Sequence, residues 1–174
     1  MELLMEFNTF IFEGNRLYDE EELHKARICY DRAIRLNPTD ANLYYKKAES
    51  FREMEQYKEA VKFYNKAIIL DPNSWSPYWN KAVSLRKMGK NEEAIDCYDK
   101  IISLRPDYSS AYFNKDLILH EMGRKKEARE CIDKVISLKP NSADAYSHKG
   151  MILLGLGKKE EAVECFDKMK SLIQ

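Results

Sequence analysis

The sequence predicts an all-α protein, a solenoid of about five stacked helix-turn-helix repeats, and three observations support this prediction. A Leu-x-Pro tripeptide returns every 34 residues, and periods of about 20–50 residues are typical of stacked repeats. Apolar residues within each period are spaced for one face of a helix. Small residues recur at two fixed positions, where two helices can approach closely. The tripeptides begin at Leu36, Leu70, Leu104 and Leu138.

The repeat boundaries follow when each proline is placed at position 32 of its unit. We predict one domain, residues 1–174, in which residues 1–6 are a helical extension before the first repeat. This start is apolar, but Glu2, Glu6 and the absence of a basic segment argue against a signal peptide. The five repeats are 7–40, 41–74, 75–108, 109–142 and 143–174.

The first helix of each repeat is predicted from positions 4, 8 and 11, which share one stripe at about 100° per residue. The stripe reads large, small, large, so position 8 lets a second helix come close. Position 8 holds Gly14, Ala48, Ala82, Asp116 and Gly150. Asp116 breaks the pattern, and a carboxylate buried there must find a hydrogen bond, a cation or water. The two alternatives are a local weak point or hinge with a compensating partner, and a side chain that turns to the surface.

The second helix is predicted from positions 20, 24 and 27, which read small, large, small and complement the first helix. Position 20 is Ala26, Ala60, Ala94, Ala128 and Ala162. Position 24 is Tyr30, Tyr64, Tyr98, Ile132 and Phe166. The smaller Ile132 leaves room for Asp116 in the fourth repeat, and the proline that follows each second helix stops it.

These columns resemble the tetratricopeptide repeat (TPR) family over about 170 of the 174 residues. The resemblance implies a right-handed α-α superhelix that acts as a protein-protein interaction module, with a protein or peptide as its partner. It also implies no enzymatic activity and no cofactor. The frequent Lys, Glu and Ile are similar to those of archaeal or bacterial members of the family.

Composition narrows the possible partners. The 29 basic and 29 acidic residues balance, so the chain has no basic excess for a nucleic acid backbone, and we expect no nucleic acid partner. No apolar run reaches the length of a membrane span, so we expect no membrane association and a cytoplasmic location.

The four cysteines all occupy position 23 of their repeats, at the border of the second helix's buried stripe. Equivalent residues of neighbouring repeats should lie about 10 Å apart, which is too far for a disulfide. We therefore expect packing residues with free thiols, in a reducing compartment. They are Cys29, Cys97, Cys131 and Cys165.

The histidines predict no catalytic or metal site. His24, His120 and His148 lie at positions 18, 12 and 6, and none has a partner at metal-ligand or catalytic spacing. His120 and His148 both face the expected groove, but a helical turn or more should separate them. The chain also has no phosphate-binding glycine loop and no nucleophile motif.

The partner-binding groove is predicted from first-helix positions 5, 6, 9 and 12, because the corresponding face of TPR proteins is concave. Aromatic and apolar side chains dominate it in repeats 2 to 5, beside arginines at position 12, and this composition is typical of interaction hot spots. An alternative is that positions 5 and 6 are family consensus and pack against adjacent repeats. The predicted groove residues are Ile11, Asn15, Tyr45, Lys46, Glu49, Arg52, Trp79, Asn80, Val83, Arg86, Phe113, Asn114, Leu117, His148 and Met151.

The groove does not carry the carboxylate clamp with which some TPR proteins bind chaperone tails. That clamp needs lysine and asparagine at positions 5 and 9 of one repeat, and Ile11, Tyr45 and Trp79 occupy position 5 instead. The lysines at position 7 are predicted to lie outside the groove and to pair with the aspartates at position 25.

A second function, self-association, is suggested by the two ends of the chain. Repeat arrays need polar end caps. The last helix ends on Phe166, Met169, Leu172 and Ile173, and the start of the chain carries more apolar residues than one packed face requires. These apolar ends, or the groove itself, are predicted to associate with a second copy if the chain has an assembly role.

Overall fold

The computed structural model describes residues 2–173, and within them it contains ten α-helices and no strand. The helices are α1 (Glu2–Asp19), α2 (Leu23–Leu36), α3 (Ala41–Glu53), α4 (Tyr57–Leu70), α5 (Trp75–Lys87), α6 (Asn91–Leu104), α7 (Ser109–Glu121), α8 (Lys125–Leu138), α9 (Ala143–Gly155) and α10 (Lys159–Ile173). Two helices fall in each predicted repeat, which confirms the all-α helix-turn-helix prediction. Met1 and Gln174, which the predicted boundaries include, lie outside the described residues.

The helices form two compact units, and the first ends at Cys97 while the second begins at Tyr98. Unit 1 contains α1 to α5 and the start of α6, and unit 2 contains the rest of α6 and α7 to α10. Each unit has its own buried residues, so each is described by itself.

Close helix approach at positions 8 and 20 is confirmed in unit 1. Ala26, Ala48 and Ala60 are all completely buried. At Gly14 the approach is closer still, because a Cβ atom there would lie only 2.7 Å from Cε1 of Tyr30. An alanine at this position would therefore force the tyrosine ring to move.

The turn between repeats is held by a hydrogen bond that the sequence did not predict. The position-4 tyrosine donates its hydroxyl to the carbonyl oxygen of the preceding proline. Unit 1 has two such bonds, Tyr44 to Pro38 at 3.1 Å and Tyr78 to Pro72 at 3.3 Å. Unit 2 repeats the bond from Tyr112 to Pro106 at 3.2 Å.

The turn within each repeat requires a left-handed residue at position 15. Gly123 and Gly157 have φ values of 76° and 77°, as expected for a glycine that ends a helix. Glu21 and Glu55 take the same conformation in unit 1, with φ values of 61° and 57°. A residue with a side chain is strained in this conformation, so Glu21 and Glu55 lower the stability of the folded protein relative to glycine.

The position-7 lysines pair with position-25 aspartates of the preceding repeat, which confirms that prediction for three pairs. Lys47 pairs with Asp31 in unit 1. In unit 2, Lys115 Nζ lies 2.5 Å from Asp99 and Lys149 Nζ lies 2.6 Å from Asp133. The aspartate side chains are 42–50% accessible to solvent, so each pair contributes at most about 1 kcal/mol to stability.

The cysteines are packing residues, as predicted. Cys97, Cys131 and Cys165 are buried, Cys29 is half-buried, and all four are free thiols. Burial raises the pKa of Cys97 and that of Cys131 to about 11. Both thiols therefore stay protonated at neutral pH and are poor nucleophiles.

Candidate recognition face

We call positions 5, 6, 9 and 12 of the first helices the recognition face, and the structure places the predicted residues on it with different exposures. All ten predicted residues of unit 1, from Ile11 to Arg86, are half-buried. In unit 2, Phe113, Asn114 and Leu117 are half-buried and Met151 is 46% exposed. His148 is only 9% exposed, so burial corrects its predicted role in lining an open groove.

Unit 1 contains a pocket of about 380 Å³ on this face, which we call the tyrosine pocket. Its lining is Asn15, Tyr18, Asp19, Tyr30, Tyr45, Lys46 and Glu49. Four of these residues were predicted for the groove. Sequence reasoning missed Tyr18, Asp19 and Tyr30, although positions 12 and 13 lie on the same side of the first helix as the predicted residues.

Tyrosine hydroxyls from the second helices of unit 1 donate hydrogen bonds to position-9 side chains of this face. Tyr30 donates to Oδ1 of Asn15 at 3.2 Å, and Tyr64 donates to Oε1 of Glu49. Each bond joins position 24 to position 9 of one repeat. Burial raises the pKa of both tyrosines, so both hydroxyls remain protonated donors. The sequence predicted these rings as core and did not predict their hydrogen bonds.

Arg52, which was predicted to flank the groove, is paired with acidic residues of unit 1. Its Nη2 atom lies 3.1 Å from Oε2 of Glu49 and 2.5 Å from Oε1 of Glu53. Glu53 also accepts a 3.4 Å hydrogen bond from the hydroxyl of Tyr18. Arg52 therefore neutralises part of the acidic charge beside the pocket and holds the side chains around it in place.

Positions 5 and 6 of adjacent repeats touch, as the consensus-packing alternative expects. In unit 1, Asn80 Nδ2 donates to the hydroxyl of Tyr45 at 2.9 Å. In unit 2, the ring centroids of Phe113 and His148 are 5.8 Å apart. Tyr45 also lines the tyrosine pocket, so it both packs against the next repeat and contributes to the accessible surface.

Unit 2 contains a buried acid-histidine cluster beside its part of the recognition face. Asp116 is completely buried, and its Oδ2 atom lies 2.5 Å from Nδ1 of His148. The two atoms are close enough for an ion pair but are not aligned as a hydrogen bond. Burial raises the pKa of Asp116, while the nearby His148 and His120 act in the opposite direction. The compensating partner that the sequence required is thus a histidine from the next repeat.

The expected separation of His120 and His148 is wrong, because their ring centroids are 5.2 Å apart. Helical side chains lean toward the N terminus, so His120 at position 12 reaches the level of Asp116 at position 8. His148 reaches that level from α9, where position 6 faces position 8 of the preceding repeat.

Two further findings concern all of the described residues. Among residues 2–173, no group of three or more His, Cys, Asp or Glu side chains is placed to hold a metal ion. Over the same residues, no helix is both long enough and apolar enough to span a bilayer.

Solved structures similar to this chain are repeat proteins of the same fold. A crystal structure of MamA has a TM-score of 0.88 and 23% identity, covering 96% of this chain and 91% of MamA. A MamA fragment from Desulfovibrio magneticus RS-1 has a TM-score of 0.84 and 18% identity, covering 96% and 94%. YrrB, described as a TPR protein with an unusual peptide-binding site, has a TM-score of 0.79 and 25% identity, covering 94% and 84%. No match was found among curated protein sequences.

Family models identify the repeats directly. Tetratricopeptide repeat models match residues 41–74, 80–108, 109–142 and 143–173, and a TPR repeat model matches 14–51. Proteins with this fold are generally interaction modules without enzymatic activity. The chain folds as an all-α solenoid of helix-turn-helix repeats, and it belongs to the tetratricopeptide repeat family of protein-interaction modules.

Proposed function

We propose that this protein binds a peptide, helix or protein segment on its recognition face, and that the tyrosine pocket of unit 1 is the principal contact. The observation that carries the proposal is the pocket of about 380 Å³, because most of its lining belongs to the predicted face. That volume falls within the range of about 300–1,000 Å³ that is typical of ligand sites. The similarity to YrrB, whose description names a peptide-binding site, supports the same proposal.

The accessible side chains of unit 2 are a secondary contact in this proposal. Phe113 and Leu117 are half-buried and Met151 is 46% exposed, so they offer accessible apolar area. Apolar contacts of this kind add affinity with little specificity.

We further propose that the protein has no catalytic activity, needs no cofactor and is cytoplasmic. The four free thiols support a reducing compartment. The balanced charge supports a protein or peptide partner rather than a nucleic acid.

The test is selection of random dodecapeptides on the immobilised protein, followed by calorimetry of the enriched sequences. We expect Tyr45→Ala to weaken binding by about tenfold or more, and Phe113→Ala to weaken it less. Ile69→Ala is the control, because Ile69 is 78% exposed on the second helix of its repeat, outside the recognition face. Peptides whose affinity is unchanged in both face variants would contradict the proposal.

Self-association is the second candidate function, and the exposed apolar side chains of α1 favour it. Leu3, Leu4, Met5 and Phe12 are 64–71% exposed. Light scattering across a concentration series tests this candidate. A dimer or larger species that Phe12→Glu converts to a monomer would support it, and a monomer at every concentration would contradict it.

A further inference from the structure

We propose that the tyrosine pocket binds an arginine side chain of the partner. This inference rests on the proposed peptide-binding function and assigns the chemistry of the partner at one site. Three features of the pocket favour arginine: its aromatic walls, the charge around it and the hydrogen bonds that order its lining.

The walls contain the half-buried rings of Tyr18 and Tyr45. Tyr30 also lines the pocket, but it is only 1% exposed, so its ring is not open to a ligand. An aromatic ring attracts a cation over its face, and arginine is the side chain found there most often. The planar guanidinium also stacks on aromatic rings, whereas the ammonium of lysine is compact and strongly hydrated. A pocket with two accessible tyrosine rings therefore suits a guanidinium better than a neutral polar group.

The charge around the pocket is acidic. Asp19 and Glu49 line it together with a single base, Lys46. An adjoining hollow of about 480 Å³ shares Tyr18 and Asp19 and is lined by Tyr18, Asp19, Glu21, Leu23 and Glu53. This second lining has three carboxylates and no base, so the two hollows together attract a cation and repel a carboxylate.

Asp19 is the acid available to a ligand. Glu49 and Glu53 are already bound by Arg52, at 3.1 Å and 2.5 Å. Among residues 2–173, no cation pairs with Asp19, and its side chain is exposed in both hollows. A carboxylate can accept two parallel hydrogen bonds from one guanidinium, which gives arginine a geometric advantage over lysine.

Hydrogen bonds hold the three rings in place before a ligand arrives. Tyr30 donates to Asn15 at 3.2 Å, Tyr18 donates to Glu53 at 3.4 Å, and Tyr45 accepts from Asn80 at 2.9 Å. Burial, together with the charges of Glu53 and Glu49, raises the pKa of Tyr18 to about 12, which agrees with an acidic surrounding. Preorganised walls reduce the ordering cost of binding.

The experiment uses the full chain and four octapeptide libraries that differ only in a fixed central residue: arginine, lysine, citrulline or glutamate. Citrulline keeps the shape of arginine without its charge. Equilibrium dialysis measures the fraction of each library that the protein binds. We expect the arginine library to bind about tenfold more than the citrulline library, since a desolvated cation-π contact with an acidic neighbour contributes an affinity of that order.

Two protein variants connect this preference to the pocket. Asp19→Asn and Tyr45→Leu should each remove most of the difference between arginine and citrulline. Asp96→Asn, which removes an exposed carboxylate of α6 in unit 1 and outside both hollows, should leave the difference unchanged.

The outcomes separate this inference from the proposed function. Equal binding of the arginine and citrulline libraries, or stronger binding of the glutamate library, overturns the arginine site. If such binding is still weakened by Tyr45→Leu, peptide recognition stands without its proposed chemistry. Equal binding of the lysine and arginine libraries overturns the inference that the pocket prefers a guanidinium to an ammonium. If no library binds, the proposed function is overturned as well.

Discussion

The two units use the same repeat positions in opposite ways. In unit 1, positions 9 and 24 pair a polar residue with a tyrosine, as in Asn15 with Tyr30 and Glu49 with Tyr64. In unit 2, these positions of the fourth repeat are the apolar Leu117 and Ile132. The polar group of that repeat is at position 8 instead, where Asp116 is completely buried.

The difference shows that the location of a polar group decides its role in this fold. At position 9 it is half-buried and accepts a hydrogen bond from the buried tyrosine at position 24, so it can order a pocket and still reach a ligand. At position 8 it lies where the helices cross, so it must be satisfied within the protein. In the proposed function, unit 1 therefore supplies the recognition site, whereas the polar cluster of unit 2 is an internal contact.

The largest expected effect comes from moving the buried acid into unit 1. Ala48→Asp places a carboxylate at position 8 of a repeat whose neighbour offers Asn80 in place of a histidine. We expect a loss of about 3 kcal/mol or more in the free energy of unfolding, measured in urea, because an unpaired carboxylate is costly at a completely buried site.

Adding Asn80→His to Ala48→Asp should recover part of this loss, since it rebuilds the pair that unit 2 contains. Ala48→Asn is the control that has the volume of aspartate without its charge. No recovery in the double variant would contradict the view that the histidine is what makes Asp116 tolerable.

The next effect concerns the natural pair. His148→Ala removes the imidazole whose Nδ1 lies 2.5 Å from Oδ2 of Asp116 and leaves that carboxyl group buried. We expect destabilisation of about 2–4 kcal/mol at neutral pH, close to the cost of breaking a buried pair. Urea unfolding measures the effect, and His24→Ala at an exposed site is the control.

Combining His148→Ala with Asp116→Ala should restore much of the stability, because alanine is common at position 8 and no charge is then buried. Additive losses in the double variant would show that the two residues are not coupled.

The third prediction concerns how the stability of the protein depends on pH through Asp116. Burial raises the pKa of Asp116, so the folded protein binds this proton more tightly than the unfolded chain does. The stabilising contribution of the proton is complete below the unfolded pKa and is lost as the pH rises through the folded pKa. Asp116→Asn should therefore gain stability relative to the unmodified protein between about pH 3 and pH 7.

Urea unfolding of both proteins across that pH range measures this change, with the exposed Asp96→Asn as the control. A stability difference that stays constant or shrinks as the pH rises would show that burial does not dominate the titration of Asp116.

The smallest expected effect is at the turns. Glu55 has a φ of 57°, so Glu55→Gly should relieve strain and raise the free energy of unfolding by about 0.5–1 kcal/mol. Gly123→Ala in unit 2 is the reverse change at the same repeat position and should lower stability by about 1 kcal/mol. Thermal unfolding of both variants checks the sign of each change. If Glu55→Gly melts at the same temperature as the unmodified protein, Glu55 is not strained.

The sequence predicted the fold well because packing at positions 8, 20 and 24 repeats along one chain. Ala60 and Tyr64 are buried where the helical period places them, and Lys115 finds Asp99 as the columns suggested. These contacts depend on short-range geometry that every repeat shares.

The candidate site was predicted only in part, because its details depend on contacts specific to single pairs of side chains. The position of Tyr45 followed from the period, but the bond from Tyr30 to Asn15 needed the direction of a hydroxyl. The meeting of Asp116 with His148 needed the relative height of two neighbouring helices, which a single-helix wheel does not contain.

The most direct test of the central claim is an NMR titration of the ¹⁵N-labelled protein with a peptide selected on it. The account predicts that the largest amide shifts occur in unit 1, around Asn15, Tyr45 and Glu49, and that Tyr45→Leu reduces them. Shifts confined to α7 and α9 of unit 2, unchanged by Tyr45→Leu, would contradict the claim that the tyrosine pocket is the principal recognition site.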